Sequence, residues 1–160
     1  MKSKIKFSRF SIAVTVITIG AIYIGCMANL HNKPVLFTLL SVLIILLLPA
    51  LFYSPVSISA DSGSITINHI FRSRSIPMHS IKSVELFQPT MGTIRVFGSG
   101  GFMGYWGIFR EGDIGRYTAY YGKSSDCFLI RTKDGSQYVL GCENPDAMVR
   151  YIKSCSGRLS

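Results

Sequence analysis

Phe10–Leu30 reads FSIAVTVITIGAIYIGCMANL, and Val35–Tyr53 reads VLFTLLSVLIILLLPALFY. Neither stretch holds a charged residue, and only His31, Asn32, Lys33 and Pro34 separate them. A helix rises about 1.5 Å per residue and the bilayer core is about 30 Å thick, so about 20 apolar residues cross it. Both runs reach that length. The linker is too short to hold a domain. Residues 10–53 therefore read as a transmembrane helical hairpin, and everything after Ser54 returns to the side on which the chain began.

Charge chooses the side. Lys2, Lys4, Lys6 and Arg9 precede the first run with no acidic residue among them, whereas the turn carries only Lys33 and His31. Positive flanks are retained in the cytoplasm. The expectation is a basic cytoplasmic tail over 1–9, a turn on the far side, and a cytoplasmic C-terminal part. A basic segment before an apolar run also opens a secretory signal, but the run here exceeds the usual signal core and a second run follows at once. Tyr23-Ile24-Gly25-Cys26 faintly resembles a lipoprotein cleavage site. Tyr23 stands where a small aliphatic residue is usual, so Cys26 reads as a buried helical thiol.

The net charge of +9 is mostly a topology signal. Five of the 17 Lys and Arg lie in the first 53 residues, which leaves 12 against all eight Asp and Glu in the remainder. That excess forms no stripe of the kind that tracks phosphates, so nucleic acid is not an expected partner. The cysteines are Cys26, Cys127, Cys142 and Cys155, with no Cys-x-x-Cys spacing, and no metal site is expected. A two-residue turn at Asp134-Gly135 would set Cys127 opposite Cys142. A reducing cytoplasm keeps such thiols free.

After Ser54 the pattern turns to a strand period. Ile65–Phe71 alternates, with Ile65, Ile67 and Phe71 predicted on one face. Asp61-Ser62-Gly63 reads as the turn that joins it to Val56–Ala60. Ile81–Phe87, Ile94–Phe97 and Arg116–Tyr121 are further strand candidates. Phe128–Thr132 and Gln137–Leu140 flank Asp134-Gly135, the strongest hairpin signal in the chain. A helix closes the chain. Asn144 caps it, Pro145 opens it, and Met148, Ile152 and Cys155 with Val149 form its apolar stripe. Gly157 reads as its stop.

Two spans, a meander of strands and a closing helix resemble the bacterial pleckstrin-homology-like (PH-like) membrane proteins. The resemblance is strongest in Arg95–Tyr120, RVFGSGGFMGYWGIFREGDIGRYTAY, and in Arg74–Met78 leading into Ile81–Val84. It implies an α+β chain: the transmembrane hairpin, then over 54–160 a PH-like antiparallel β sandwich or barrel capped by a C-terminal helix. With the charge pattern, the expected location is the bacterial inner membrane, with both termini cytoplasmic. Lipid-binding eukaryotic members place Lys and Arg in the first hairpin. Here that hairpin is Ala60-Asp61-Ser62-Gly63-Ser64, which gives phosphoinositide binding no support.

No catalytic constellation stands out. His31, His69 and His79 are isolated, and neither a nucleophile elbow nor a zinc-protease motif is present. The run Gly98–Gly104 lacks the Lys-Ser/Thr ending of a phosphate loop, and no helical pattern follows it. The expectation is a non-enzymatic module without a cofactor. Its partners would be the bilayer and a second protein or copy.

Two surfaces are candidates. Phe102, Met103, Tyr105, Trp106, Phe109 and Arg110 form an aromatic segment interrupted by glycines, read either as core or as an exposed contact surface. Lys2, Lys4, Lys6, Arg9, Arg72, Arg74 and Lys82 are candidates for contact with anionic headgroups. A ligand-sensing pocket in the sheet, or an auxiliary role exerted through the helical hairpin, are the alternatives.

Overall fold

The computed structural model describes residues 1–90 and 92–156. The apolar runs form α1 (Arg9–Ala28) and α2 (Lys33–Tyr53). Ser8 caps α1 by accepting a hydrogen bond from the Ser11 N–H, and Pro34 lies in the first turn of α2. The two helices pack closely at Gly25, where an added methyl would stand 3.2 Å from Leu39 Cδ1. Each has an apolar window only 6% buried by the protein. They are long and apolar enough to span a membrane and are not the core of the folded domain, which makes this a candidate membrane protein.

The domain holds two sheets. The first has the order β1-β2-β3-β4, formed by Lys2–Lys4, Pro55–Ala60, Ser64–His69 and Ser73–Pro77, all antiparallel. A 3₁₀ turn, Met78–Ser80, leads to the second sheet. Its strands are β5 (Ile81–Leu86), β6 (Ile94–Gly101), β7 (Gly104–Glu111), β8 (Gly115–Tyr121), β9 (Cys127–Thr132) and β10 (Gln137–Gly141), in the order β5-β9-β10-β8-β7-β6. The helix α3 (Pro145–Ser156) packs on β5, β9 and β2.

The main core lies between the sheets and α3. Ile58, Ile65, Ile67, Phe128, Leu140, Met148 and Ile152 are fully buried there. Met148 donates its N–H to the Asn144 carbonyl, so the helix begins where the cap and proline predict. Burying a side chain such as Ile152 is worth about 2 kcal/mol. A second cluster sits on the outer face of the larger sheet, with Phe109, Tyr117, Leu129 and Val139 beneath Phe87 and the loop after it. The central strands β9 and β10 are thus covered on both faces, which is why they read as nearly continuous apolar runs.

Of the sandwich and the barrel, the structure takes the first: two separate sheets with no closed barrel. Several finer expectations are corrected. One ladder, β10 with β8, is parallel, because the β9–β10 hairpin folds back to insert β10 beside β8. Residues 1–9 are not simply a tail. Lys2–Lys4 pair with Ser57–Ser59, so the segment before α1 and the segment after α2 are neighbours in one sheet.

Phe71 is exposed because β3 ends at His69, which takes the inward position instead. The Asp134-Gly135 turn is one residue longer than predicted. Thr132 and Ser136 close a three-residue loop with Gly135 at φ 84°, and Cys127 therefore faces Gly141. Cys127 and Cys142 consequently pack into the two different clusters, on opposite sides of the sheet. The expected helix stop at Gly157 lies outside the described residues.

Candidate functional site

The glycine and aromatic segment is a regular hairpin, longer than the predicted strand Ile94–Phe97. β6 pairs with β7 from Ile94 with Arg110 to Gly101 with Gly104, around a tip formed by Phe102 and Met103. The tip is docked on the membrane helices. The Ser11 hydroxyl donates to the Gly101 carbonyl at 2.5 Å and accepts from the Gly104 N–H at 2.9 Å. The Met103 N–H donates to Thr15 Oγ1 at 2.9 Å, and the Ser54 hydroxyl donates to the Met103 carbonyl at 2.7 Å. Ser11 is almost fully buried, so these bonds are shielded from water. Thus two polar side chains of α1 and the residue following α2 hold a single turn.

An aromatic collar surrounds the same junction. Tyr53, the last residue of α2, stacks on Trp106 at 5.8 Å, and Phe52 meets Phe71 at 5.7 Å. The His69 ring lies 5.1 Å from that of Tyr120, with Nδ1 3.3 Å from the Ser54 carbonyl. Burial pushes the His69 pKa down, and the neighbouring charges of Arg72 and Arg74 push the same way. The Trp106 indole N–H is buried without a partner.

The sequence-predicted residues separate into groups. Trp106 and Phe109 are buried, on opposite faces of the sheet. Phe102 and Met103 are half-buried against the main core, and Tyr105 is half-buried on the outer face, stacked on Tyr121 at 4.8 Å. Arg110 is exposed, directly across the ladder from Arg116. An exposed contact surface needs accessible side chains, and Trp106 and Phe109 do not provide them. The exposed apolar side chains of this hairpin are Ile94, Val96 and Phe97, on β6.

The basic candidates are divided as well. Lys2, Lys4 and Arg9 are exposed beside the start of α1, and Lys6 is paired with Glu143 at 2.7 Å. Arg72 precedes β4 at the helix end of the domain. Arg74 lies over the Tyr138 ring and donates to its hydroxyl at 3.0 Å. Lys82 follows the 3₁₀ turn at the other end of β4, so it does not join the two arginines. Among the described residues, no three His, Cys, Asp or Glu side chains gather at metal-binding spacing.

A large concavity lies elsewhere, on the outer face of the larger sheet. It has a volume of about 760 Å³ and runs between β6–β8 and the residues Gln88, Pro89, Thr90 and Thr93. Tyr105, Phe109 and Tyr121 form its aromatic side, and Arg95 projects into it. Glu111, at 4% exposure, fixes Thr90 and Thr93. It accepts from the Thr90 N–H at 3.0 Å, the Thr90 hydroxyl at 2.6 Å and the Thr93 hydroxyl at 2.9 Å. Burial alone would raise the Glu111 pKa, but these donors outweigh it and the carboxyl stays below its usual range. Beneath it, burial pushes the Tyr117 phenol up to about 12.

Sequence reasoning missed Ser11, Thr15, Glu111 and the role of Arg95. Two small hydroxyl residues four apart in a membrane helix were the available signal for the first pair. Glu111 carried none, because its partners lie 18 and 21 residues away.

Two sheets closed by a C-terminal helix define a PH-like domain. Residues 56–155 match the family model described as Bacterial PH domain, from the second strand into the last helix. The chain belongs to that family. Domains of this kind are generally non-catalytic. No curated protein and no solved structure matches the chain.

Proposed function

We propose that the protein is a non-enzymatic, membrane-anchored contact module. Its PH domain faces the cytoplasm and binds an extended segment of a partner polypeptide along β6. The observation that carries this is the outer edge of β6. It is the terminal strand of the larger sheet, so one side of its backbone has no strand partner among the described residues. It also exposes Ile94, Val96 and Phe97, the last at 70%. An apolar edge strand of this kind is a liability unless something covers it. Strand addition supplies backbone hydrogen bonds, and alternate side chains supply selectivity.

The pairing of β1 with β2 supports placing both flanks of the hairpin on one side of the membrane, and the N-terminal lysines support the cytoplasmic side. A photo-crosslinking residue at Val96, in intact membranes, tests the contact. One discrete adduct that Phe97→Asp abolishes is expected, with a second copy revealed by an adduct of twice the mass. No adduct, or the same adduct from an exposed control position such as Asp113, overturns the contact.

A further inference from the structure

We propose that the groove on the outer face of the larger sheet is a binding site for a small organic anion that carries a flat ring. Arg95 would take its acid group and the Tyr105–Tyr121 wall its ring.

Charge comes first. Arg131 is paired with Glu85 and Arg74 with Tyr138, whereas Arg95 makes no hydrogen bond or ion pair with a described residue. It nonetheless lines a concavity, and no Asp or Glu lines that concavity with it. The nearby Glu111 carboxylate does not neutralise it, because Glu111 is buried and engaged by Thr90 and Thr93. A guanidinium presents a planar fork of donors suited to a carboxylate or phosphate. A cation has no anionic ligand here.

Gly100 is the second observation. Its backbone is not in the left-handed region, so conformation does not call for glycine at this position. A methyl on Gly100 would stand 3.2 Å from Arg95 Nη1, and that side chain runs across it. The missing side chain is the space in which Arg95 lies. The hairpin bends at Gly98 and Gly107, which lets a side chain from residue 95 reach residue 100 on the concave side.

The walls are fixed in advance. Thr90 and Thr93 are held by Glu111, and Tyr105 and Tyr121 brace each other as a stacked pair. A volume of about 760 Å³ lies within the range of small-molecule sites, about 300–1,000 Å³. Polar donors at one point and aromatic surface beside them select an acid group attached to a ring.

Position gives the site a consequence. Gly100 adjoins Gly101, whose carbonyl is held by Ser11 of α1. Ser124, which also lines the groove, is two residues from Gly122, whose carbonyl accepts the Ser8 N–H. The lining of the groove thus adjoins, along the chain, two points that hold the start of α1.

Titration calorimetry on the full chain in nanodiscs tests the site, with 2-naphthoate as probe, neutral 2-naphthamide as control and empty nanodiscs as blank. Saturable binding of 2-naphthoate is expected, with affinity at least tenfold above that of the amide. Arg95→Gln should lower it at least tenfold. Gly100→Ala keeps the charge but displaces the guanidinium, and should weaken binding several-fold. No binding beyond the blank, equal binding of the amide, or unchanged affinity in Arg95→Gln overturns the site. The β6 contact is read separately, by crosslinking with Phe97→Asp, so either can fail without the other.

Discussion

Gly98 and Gly107 face each other across the β6–β7 hairpin, both at positive φ, 112° and 122°. Each lies against the other strand's backbone. A methyl on Gly98 would be 2.1 Å from the Trp106 carbonyl oxygen, and one on Gly107 would be 2.2 Å from that of Phe97. The pair makes the bend that sends the hairpin tip to the membrane helices and opens the concave side beneath Arg95.

Gly98→Ala and Gly107→Ala should therefore each destabilise the domain by about 2 kcal/mol or more, since strain at positive φ adds to a backbone clash. Gly100→Ala, two residues away, meets only the end of a flexible arginine and should leave thermal stability nearly unchanged. Thermal unfolding of the three variants in nanodiscs checks this. Equal losses at all three positions would remove the bend from the account.

Ser11→Ala should uncouple the tip from α1. It leaves the Gly101 carbonyl and the Gly104 N–H without their partner in a buried setting, at a cost of about 1–3 kcal/mol. Hydrogen exchange at the Met103 and Gly104 amides should accelerate while that of β9 stays unchanged. Protection that persists at Gly104 would show that another group holds the turn.

His69 makes the junction sensitive to acid. Its folded pKa lies below the ordinary value of 6.5, so the unfolded chain binds the proton more readily. Stability is intact above pH 6.5 and falls as pH drops from there toward the lower folded pKa. The melting temperature should decline between pH 7.5 and 5.5, and His69→Asn should flatten that decline. An identical slope in both proteins would assign the acid response to other groups.

The anchor and most of the domain were legible in the sequence because each depends on local signals. Twenty-residue apolar runs, a capped amphipathic helix and Asp-Gly turn chemistry are all written within a few residues. Long-range pairings were not legible. Lys2–Lys4 look like topology charges and also fit an edge strand, and only the partner Ser57–Ser59 decides between them.

The parallel β10–β8 ladder joins strands whose order in the sheet differs from their order in the chain. In the sequence the glycines only interrupt the aromatic segment; the paired φ values show that Gly98 and Gly107 are required by the backbone where the two strands meet. The groove was not legible because its walls come from the segment after β5 and from three strands, β6, β7 and β8, brought together only by the fold, and because Glu111, which holds Thr90 and Thr93, has partners far from it in sequence.

The β1–β2 ladder has one more implication. It is a β-hairpin whose connecting loop is the entire pair of membrane helices. During synthesis Lys2–Lys4 leave the ribosome before α1 and α2, and their partner strand follows only after both helices have been made. That edge of the domain therefore cannot close until both helices have been made, and a fragment cut free at Ser54 would lack a native strand rather than a dispensable leader.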